Sequence, residues 1–254
     1  LMSAGTIAWR EYIAADRDIA MAFYRDLIGW DIAPVTMGTP NDPYQMVSIN
    51  DLPITGFDTT DGSEDPPHWL TYLTVPDSVE ATLSRAVDLG GEIVRAPQDL
   101  HGIGRYAVLR DPDRALVAAF QPLEPSTPPP ATWSPAPGSI SWYAVSSHDL
   151  GRTASFYAAI FGYDPPASEE VFSATNTPVL TTGQHLHAGV LPAGPDLAPQ
   201  WLIYIVVPDA DALLQPSIDL GGHPITPVMG IPKVGKILGI RDPLGAAFFV
   251  HQPE

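Results

Sequence analysis

Residues 9–30 read WREYIAADRDIAMAFYRDLIGW, and residues 142–163 read WYAVSSHDLGRTASFYAAIFGY. At a constant spacing of 133 residues, Trp9 falls on Trp142, Asp16 on Asp149, Phe23-Tyr24 on Phe156-Tyr157 and Gly29 on Gly162. The match continues at a spacing of 132 with Trp69-Leu70 on Trp201-Leu202 and Val75-Pro76-Asp77 on Val207-Pro208-Asp209. It ends at a spacing of 131 with Leu89-Gly90-Gly91 on Leu220-Gly221-Gly222, Asp111-Pro112 on Asp242-Pro243 and Gln121-Pro122 on Gln252-Pro253. Two single-residue deletions align the halves end to end. A self-match at this period marks a duplicated domain, because solenoid repeats are much shorter.

The repeated stretch has a readable local physics. A short run that can form a strand leads to an aspartate and then to a helix with apolar residues at Ile19, Phe23 and Leu27, backed by Ala20, Tyr24 and Ile28. Asp16 and Asp149 stand where an N-cap carboxylate accepts from the free amides of the first turn. Gly29 and Gly162 stand where a left-handed C-cap stops the helix. The order strand, Asp, helix, Gly recurs within the first half. There His68–Val75 reads as a strand, Asp77 as a cap, Val79, Leu83, Val87 and Leu89 as a helix face, and Gly90-Gly91 as the stop.

Around these units the strands follow from alternation and turn residues. Tyr44–Asn50 and Ile54–Phe57 flank the turn Asn50-Asp51, while Asp58–Pro67 is polar and proline-bounded, a loop. Glu92–Arg95, Gly104–Leu109 and Ala115–Phe120 complete the half, the last two joined by the tight turn Asp111-Pro-Asp-Arg114. In the second half, Phe172–Thr175, Val179-Leu180 and Leu186–Val190 take the corresponding places. The chain therefore reads as α+β, with four βαβββ modules forming two tandem domains with curved mixed sheets: residues 1–122 and 138–254. Between them, 123–137 holds six prolines and no periodicity, a stiff linker. The halves differ at two points. Pro216, aligned with Arg85, should break the second helix of its half. Gly245 stands where the first half has Arg114, so the first turn has to hold a non-glycine residue in an uncommon conformation.

Composition bounds the function. Twelve Lys+Arg against 29 Asp+Glu give a net charge of −17, and the only lysines are Lys233 and Lys236. Neutralising phosphates needs a basic surface, so nucleic acid is not an expected partner. The acidity reads as solubility or a saline habitat, with attraction of a cationic ligand as the sharper alternative. No run has the apolar length of a membrane span and no secretory signal opens the chain, so no membrane partner and a cytoplasmic location are expected. The absence of cysteine removes disulfides, thiolate metal sites and a cysteine nucleophile.

Four βαβββ modules, the Asp-helix-Phe-Tyr…Gly-Trp/Tyr pattern and the Asp-Pro turn near each half's C-terminus resemble the vicinal oxygen chelate superfamily of glyoxalase I, extradiol dioxygenases and bleomycin-resistance proteins. The resemblance spans nearly the whole chain outside the linker and is similar to the two-domain glyoxalase-like proteins. It implies the fold, not one reaction, since the superfamily hosts lyases, dioxygenases, epimerases and drug binders. It also implies metal-ligand positions on the first strand, on the strand after the loop and after the Asp-Pro turn. Here these are Trp9, Leu70 and Ala118, and in the second half Trp142, Leu202 and Phe249. None offers a donor to a divalent cation, so no metal cofactor is expected there. A shifted register would have to draw on His185, His187, His68, Glu11 or His251.

Two readings follow. In the first, the chain binds a small apolar or aromatic metabolite or antibiotic in a cup lined by Trp9, Tyr44, Tyr72 and Phe120, with Trp142 and Tyr204 lining the other cup. The principal site then lies in the first half, where Glu11 and His68 add polar groups to an apolar surface. In the second, the chain is an enzyme of the same superfamily, with relocated metal ligands or with Glu11 as general base and His68 as its partner. Set against both is the possibility that the paired tryptophans simply fill the cores. Duplication with a stiff linker also leads one to expect a monomer whose halves pack as a pseudo-dimer.

Overall fold

The computed structural model describes residues 3–39, 42–59, 65–123, 136–165, 171–172 and 177–254. Most of the proline-rich segment, residues 124–135, and the end of the strand expected at Phe172–Thr175 lie outside them. The first module is β1 (Ile7–Ile13), α1 (Arg17–Ile28), β2 (Ile32–Thr39), β3 (Asp42–Ile49) and β4 (Leu52–Asp58). The second is β5 (His68–Thr74), α2 (Val79–Asp88), β6 (Glu92–Leu100), β7 (Gly104–Arg110) and β8 (Leu116–Pro122). The third is β9 (Ile140–Ser147), α3 (Leu150–Phe161), β10 (Val171–Phe172), β11 (Thr177–Thr182) and β12 (His185–Pro192). The fourth is β13 (Trp201–Val206), α4 (Leu214–Asp219), β14 (His223–Pro224), β15 (Met229–Ile231), β16 (Gly235–Arg241) and β17 (Ala247–Pro253). The βαβββ reading holds, with the first strand after the helix of the fourth module split into β14 and β15, in two curved mixed sheets of eight and nine strands.

The chain divides into two compact units, and each takes one module from each half of the repeat. The first unit carries the start of the chain to Trp9, then Leu70 onward through the second module, and Tyr143–Trp201 of the third. Its strands run in the orders β5-β8-β7-β6 and β10-β11-β12-β9. The second unit carries Arg10–Trp69 of the first module, Trp142 and the residues from Leu202 onward. Its strands run in the orders β2-β3-β4-β1 and β13-β17-β16-β14, with β15 on β16. Each compact unit thus draws on residues from both 1–122 and 138–254.

In the first unit one face of β5–β8 turns Leu73, Ala107, Leu109, Val117 and Ala119 into a core shared with Val79, Leu83 and Ala86 of α2 and with Phe156, Tyr157, Ile160 and Phe161 of α3. In the second unit Tyr12, Tyr24, Trp30, Phe57, Trp69 and Phe248 form an aromatic core, with Tyr24 and Trp30 stacked at 5.4 Å. A tie repeated in both cores accounts for much of the duplicated pattern. Trp201 Nε1 donates to Tyr157 Oη at 2.8 Å, and Tyr157 Oη donates to Asp111 Oδ2 at 3.1 Å. Likewise Trp69 Nε1 donates to Tyr24 Oη at 3.1 Å, which donates to Asp242 Oδ2 at 3.3 Å. The other carboxylate oxygen organises the Asp-Pro turn. Asp111 Oδ1 accepts from the amides of Asp113 and Ala115, and Asp242 Oδ1 from those of Leu244, Gly245 and Ala246. A tyrosine from one half thus clamps an aspartate from the other, which is why both recur at fixed spacing.

Several local expectations change in detail. Gly29 and Gly162 are left-handed caps, and Asp149 caps α3 by accepting from Arg152 N at 3.0 Å. Asp16 makes no side-chain cap, because its backbone at φ −104°, ψ 54° departs from the extended geometry that aims a cap carboxylate at the first turn. The cap of α2 is Ser78, not Asp77, whose carboxylate pairs with Arg85 at 2.8 Å and is held down to about 2 chiefly by that bond. Ile19 is 48% exposed and Val87 and Leu89 are likewise exposed, so the buried stripes are Ala20-Met21-Phe23-Tyr24-Leu27 and Val79-Thr82-Leu83-Ala86. The strand β2 went unread because Pro34 and Gly38 interrupt its alternation. Asn50 and Asp51, both at positive φ, make the β3–β4 turn. Arg114 takes φ 80°, as the comparison with Gly245 required. Pro216 leaves a 3-10 turn at Asp211–Leu213 and a six-residue α4 where the first half has the ten-residue α2.

Candidate functional site

The strand face opposite the α2-packed core is read directly from register. In the first unit Tyr72 pairs with Ala118, Val108 with Ala118, Tyr106 with Phe120 and Arg95 with Val108. Neighbours in register share a face, so Arg95, Tyr106, Val108, Ala118, Phe120 and Tyr72 line one surface of β6-β7-β8-β5. Tyr72 and Tyr106 lie 5.6 Å apart and Tyr72 and Phe120 6.3 Å apart, the latter edge-on at 77°. Arg95 Nη1 donates to Tyr106 Oη at 3.0 Å, and its guanidinium carbon lies 5.9 Å from that ring's centroid, within cation–π range. Gly104 keeps this surface open to Phe120, since a Cβ there would meet the Phe120 ring and the Gln121 carbonyl.

The second unit carries the counterpart surface with different residues. At a spacing of 132, Tyr204 replaces Tyr72. At 131, Phe249 replaces Ala118, His251 replaces Phe120, Ile237 replaces Tyr106 and Thr226 replaces Arg95. Tyr204, in register with Phe249, stacks on it at 4.8 Å and 12°, and burial pushes its hydroxyl above the ordinary tyrosine range. His251 is buried with both ring nitrogens engaged, Nδ1 with Ser141 Oγ at 2.8 Å and Nε2 with the Val234 carbonyl at 2.9 Å. Thr226 Oγ1 accepts from Gly239 N at 2.8 Å. Here the ring of Phe249 stacks on Tyr204, whereas the counterpart position in the first unit holds the buried Ala118.

The sequence-chosen residues divide between the units. Trp9, half-buried, and Tyr72 and Phe120, both buried, belong to the first; Glu11, Tyr44, His68, Trp142 and Tyr204 belong to the second. Alternation from the core-facing Tyr12 puts Glu11 on the other face of β1, 7% exposed and in register with Gly56. Tyr44 is packed onto Gly56, where a Cβ would collide with its ring and hydroxyl. The Nδ1 of His68 bonds the Pro66 carbonyl at 2.8 Å. His187 Nε2 bonds Thr182 Oγ1 at 2.7 Å, and its pKa is lowered, first by burial and then by His185. Arg95 and Tyr106 were not chosen from sequence. The signal was present, since both differ from their counterparts Thr226 and Ile237, but only the β6–β7 register shows that they meet.

At the family's ligand positions, Trp9, Leu70 and Ala118 in one unit and Trp142, Leu202 and Phe249 in the other carry no donor for a divalent cation. These residues do not fit the usual metal centre. Among the described residues, no group of three or more His, Asp or Glu is placed to hold a metal ion.

The fold agrees with known proteins. The model of the Glyoxalase/Bleomycin resistance protein/Dioxygenase superfamily matches residues 6–118. The Mycobacterium tuberculosis protein named "Putative glyoxylase CFP32" is 30% identical over 98% of this chain and 95% of its own length. The anthracycline biosynthesis protein DauV of Streptomyces sp. (strain C5) is 26% identical over 97% of this chain and 92% of its own. Among solved structures, 2,2',3-trihydroxybiphenyl 1,2-dioxygenase from Sphingomonas wittichii strain RW1 superposes with a TM-score of 0.62 at 13% identity, covering 98% of this chain and 91% of that one. The Mn(II)-bound glyoxalase from Novosphingobium aromaticivorans gives 0.56 at 18%, covering 99% and 83%. With four βαβββ modules in mixed sheets and a relative matched along nearly its full length, this chain belongs to the Glyoxalase/Bleomycin resistance protein/Dioxygenase superfamily.

Proposed function

We propose that the protein binds a flat, largely apolar aromatic molecule on the Tyr72–Tyr106–Phe120 surface of its first unit, without a metal at the family's usual positions. The observation that carries this reading is the exchange of Phe249 for Ala118. Beside Tyr204 a phenyl ring completes a parallel stack, whereas beside Tyr72 the equivalent residue is a methyl group. A planar ligand would gain there the stacking and area burial that Phe249 supplies in the other unit. The relative named for anthracycline biosynthesis supports a polycyclic aromatic ligand, since anthracyclines are fused-ring molecules.

The test fills the position. Ala118→Phe should leave the far-ultraviolet circular dichroism unchanged and weaken binding of a planar aromatic probe at least tenfold, because about 1–3 kcal/mol of stacking and burial is lost. Equal probe binding by parent and variant would remove the surface from consideration.

A second reading rests on Glu11. Its carboxyl is buried on β1, and a carboxylate held on a strand can act as a general base when a substrate proton comes within hydrogen-bond reach. In this reading the protein is a metal-free isomerase or cyclase. Glu11→Gln should then lower kcat by at least a hundredfold while changing ligand affinity by less than threefold. Retention of turnover by that variant excludes Glu11 from the chemistry.

A further inference from the structure

The second unit holds a serine–histidine pair that neither proposed role uses. Ser141 Oγ lies 2.8 Å from His251 Nδ1, and His251 Nε2 lies 2.9 Å from the Val234 carbonyl. A carbonyl oxygen only accepts, so Nε2 carries the proton of the neutral ring and Nδ1 is left as its acceptor. Ser141 therefore donates to His251. The other acceptor within its reach, the Tyr204 carbonyl, is farther away at 3.3 Å. The carbonyl that sets this tautomer is itself held in place. Val234 N donates to the Ile231 carbonyl at 3.0 Å, and the next residue, Gly235, takes φ 124°, where a Cβ would strike the Gln252 carbonyl. A hydroxyl, a base within hydrogen-bond reach and a third group that orients the base are the parts of an activated nucleophile. The counterparts in the first half, Ala8 and Phe120, have no proton to move.

We propose that Ser141 is a nucleophile activated by His251 and that the second unit hydrolyses small esters of phenols. His251 is buried whereas Ser141 is only half-buried, so the base is shielded from water while the serine keeps part of its surface open. Val206 is in register with His251 and Tyr204 with Phe249, and alternate residues of a strand share a face, so the Tyr204–Phe249 stack lies on the histidine's face and offers an aryl group apolar contact. Ser141 Oγ adds to the ester carbonyl as its proton passes to His251 Nδ1. The C–O bond to the phenol then breaks, and the phenol leaves with that proton. Water attacks the acyl-serine and gives a proton to Nδ1, and the carboxylic acid departs as Ser141 takes the proton back. The net change is ester plus water to acid plus phenol, with no further reactant. This inference concerns the second unit and is independent of the aromatic-ligand reading of the first.

The experiment uses the full chain and 4-nitrophenyl acetate. The parent should release 4-nitrophenolate, and an acid quench during turnover should trap an acetyl group that peptide mass spectrometry places on Ser141. Ser141→Ala should lose both the adduct and the release. His251→Gln should slow acylation at least a hundredfold, the lower end of what a general base contributes, with the far-ultraviolet circular dichroism unchanged. An adduct confined to Lys233, Lys236 or the chain's amino group overturns the proposal, as does the absence of any adduct on the parent. So does release by Ser141→Ala, or acylation of His251→Gln, at the parent's rate. Should His251→Gln fail to fold, the adduct on the parent and its loss in Ser141→Ala decide the matter. Binding of a planar aromatic probe to the first unit is unaffected by any of these outcomes, so the two readings fail separately.

Discussion

Tyr157→Phe is expected to lower the free energy of unfolding by about 2–4 kcal/mol, the cost of leaving two buried polar groups without their partner. The lost hydroxyl accepts from Trp201 Nε1 at 2.8 Å and donates to Asp111 Oδ2 at 3.1 Å, and Trp201 is 1% exposed. No water can replace either bond without opening the core. The ring itself is retained, so the loss reports the hydroxyl and not a cavity. Tyr24→Phe should cost a similar amount through Trp69 and Asp242, the bond to the carboxylate being longer at 3.3 Å. Urea denaturation monitored by tryptophan fluorescence measures both. A change below 0.5 kcal/mol for Tyr157→Phe, in the range of a neutral surface substitution, would mean that this tie does not stabilise the core of its unit.

The second large effect is a pH dependence centred on the clamped aspartates. Burial pushes the Asp111 carboxyl up to about 6, against the pull of the Ala115 and Asp113 amides and of the Tyr157 hydroxyl. Asp242 is raised in the same sense, again by burial first. A carboxyl whose folded pKa lies above its unfolded value of about 3.9 binds more protons folded than unfolded between the two, so folding stability falls as pH rises through that interval. For Asp111 the interval runs from about pH 4 to about pH 6 and the loss is about 3 kcal/mol, complete above it. Asparagine has no such titration. The stability difference between Asp111→Asn and its parent should therefore move in the variant's favour by about that amount between pH 4 and pH 7. Comparing the variant with its parent at each pH cancels the background from carboxylates such as Asp77, whose depressed pKa acts with the opposite sign at lower pH. A difference that stays flat across the interval would show that Asp111 is ionised throughout.

How much was legible follows from the range of each interaction. The glycine caps at Gly29 and Gly162, the Asn50-Asp51 turn, the strained Arg114 and the break at Pro216 were readable because each depends on the residue's own backbone preference. Helix faces were read less well. Ile19, Val87 and Leu89 satisfy the period but lie at the stripe's margin, where the neighbouring element decides exposure. Asp16 and Asp77 look alike in sequence to a capping residue, yet one lacks the cap geometry and the other is taken by Arg85. The aromatic surface was half legible: alternation puts Tyr72 and Phe120 on one face, but Arg95 and Tyr106 join them only through a ladder whose register shifts between Arg95 and Gln98.

The repeat at 133, 132 and 131 residues determined by itself that the chain is built twice from βαβββ modules, because side-chain period and turn chemistry are local and survive duplication. The resemblance of that pattern to the superfamily, not the spacing, is what implies ligand positions at Trp9, Ala118, Trp142 and Phe249 and near Leu70 and Leu202. Which modules pack together was decided only in three dimensions. The second joins the third and the first joins the fourth, through helix faces and buried hydroxyls that no spacing along the chain encodes. The difference between the two aromatic surfaces was likewise tertiary. Phe249 is one more apolar strand residue until the register sets it flat on Tyr204, and Ala118 acquires meaning only as the place where that ring is missing.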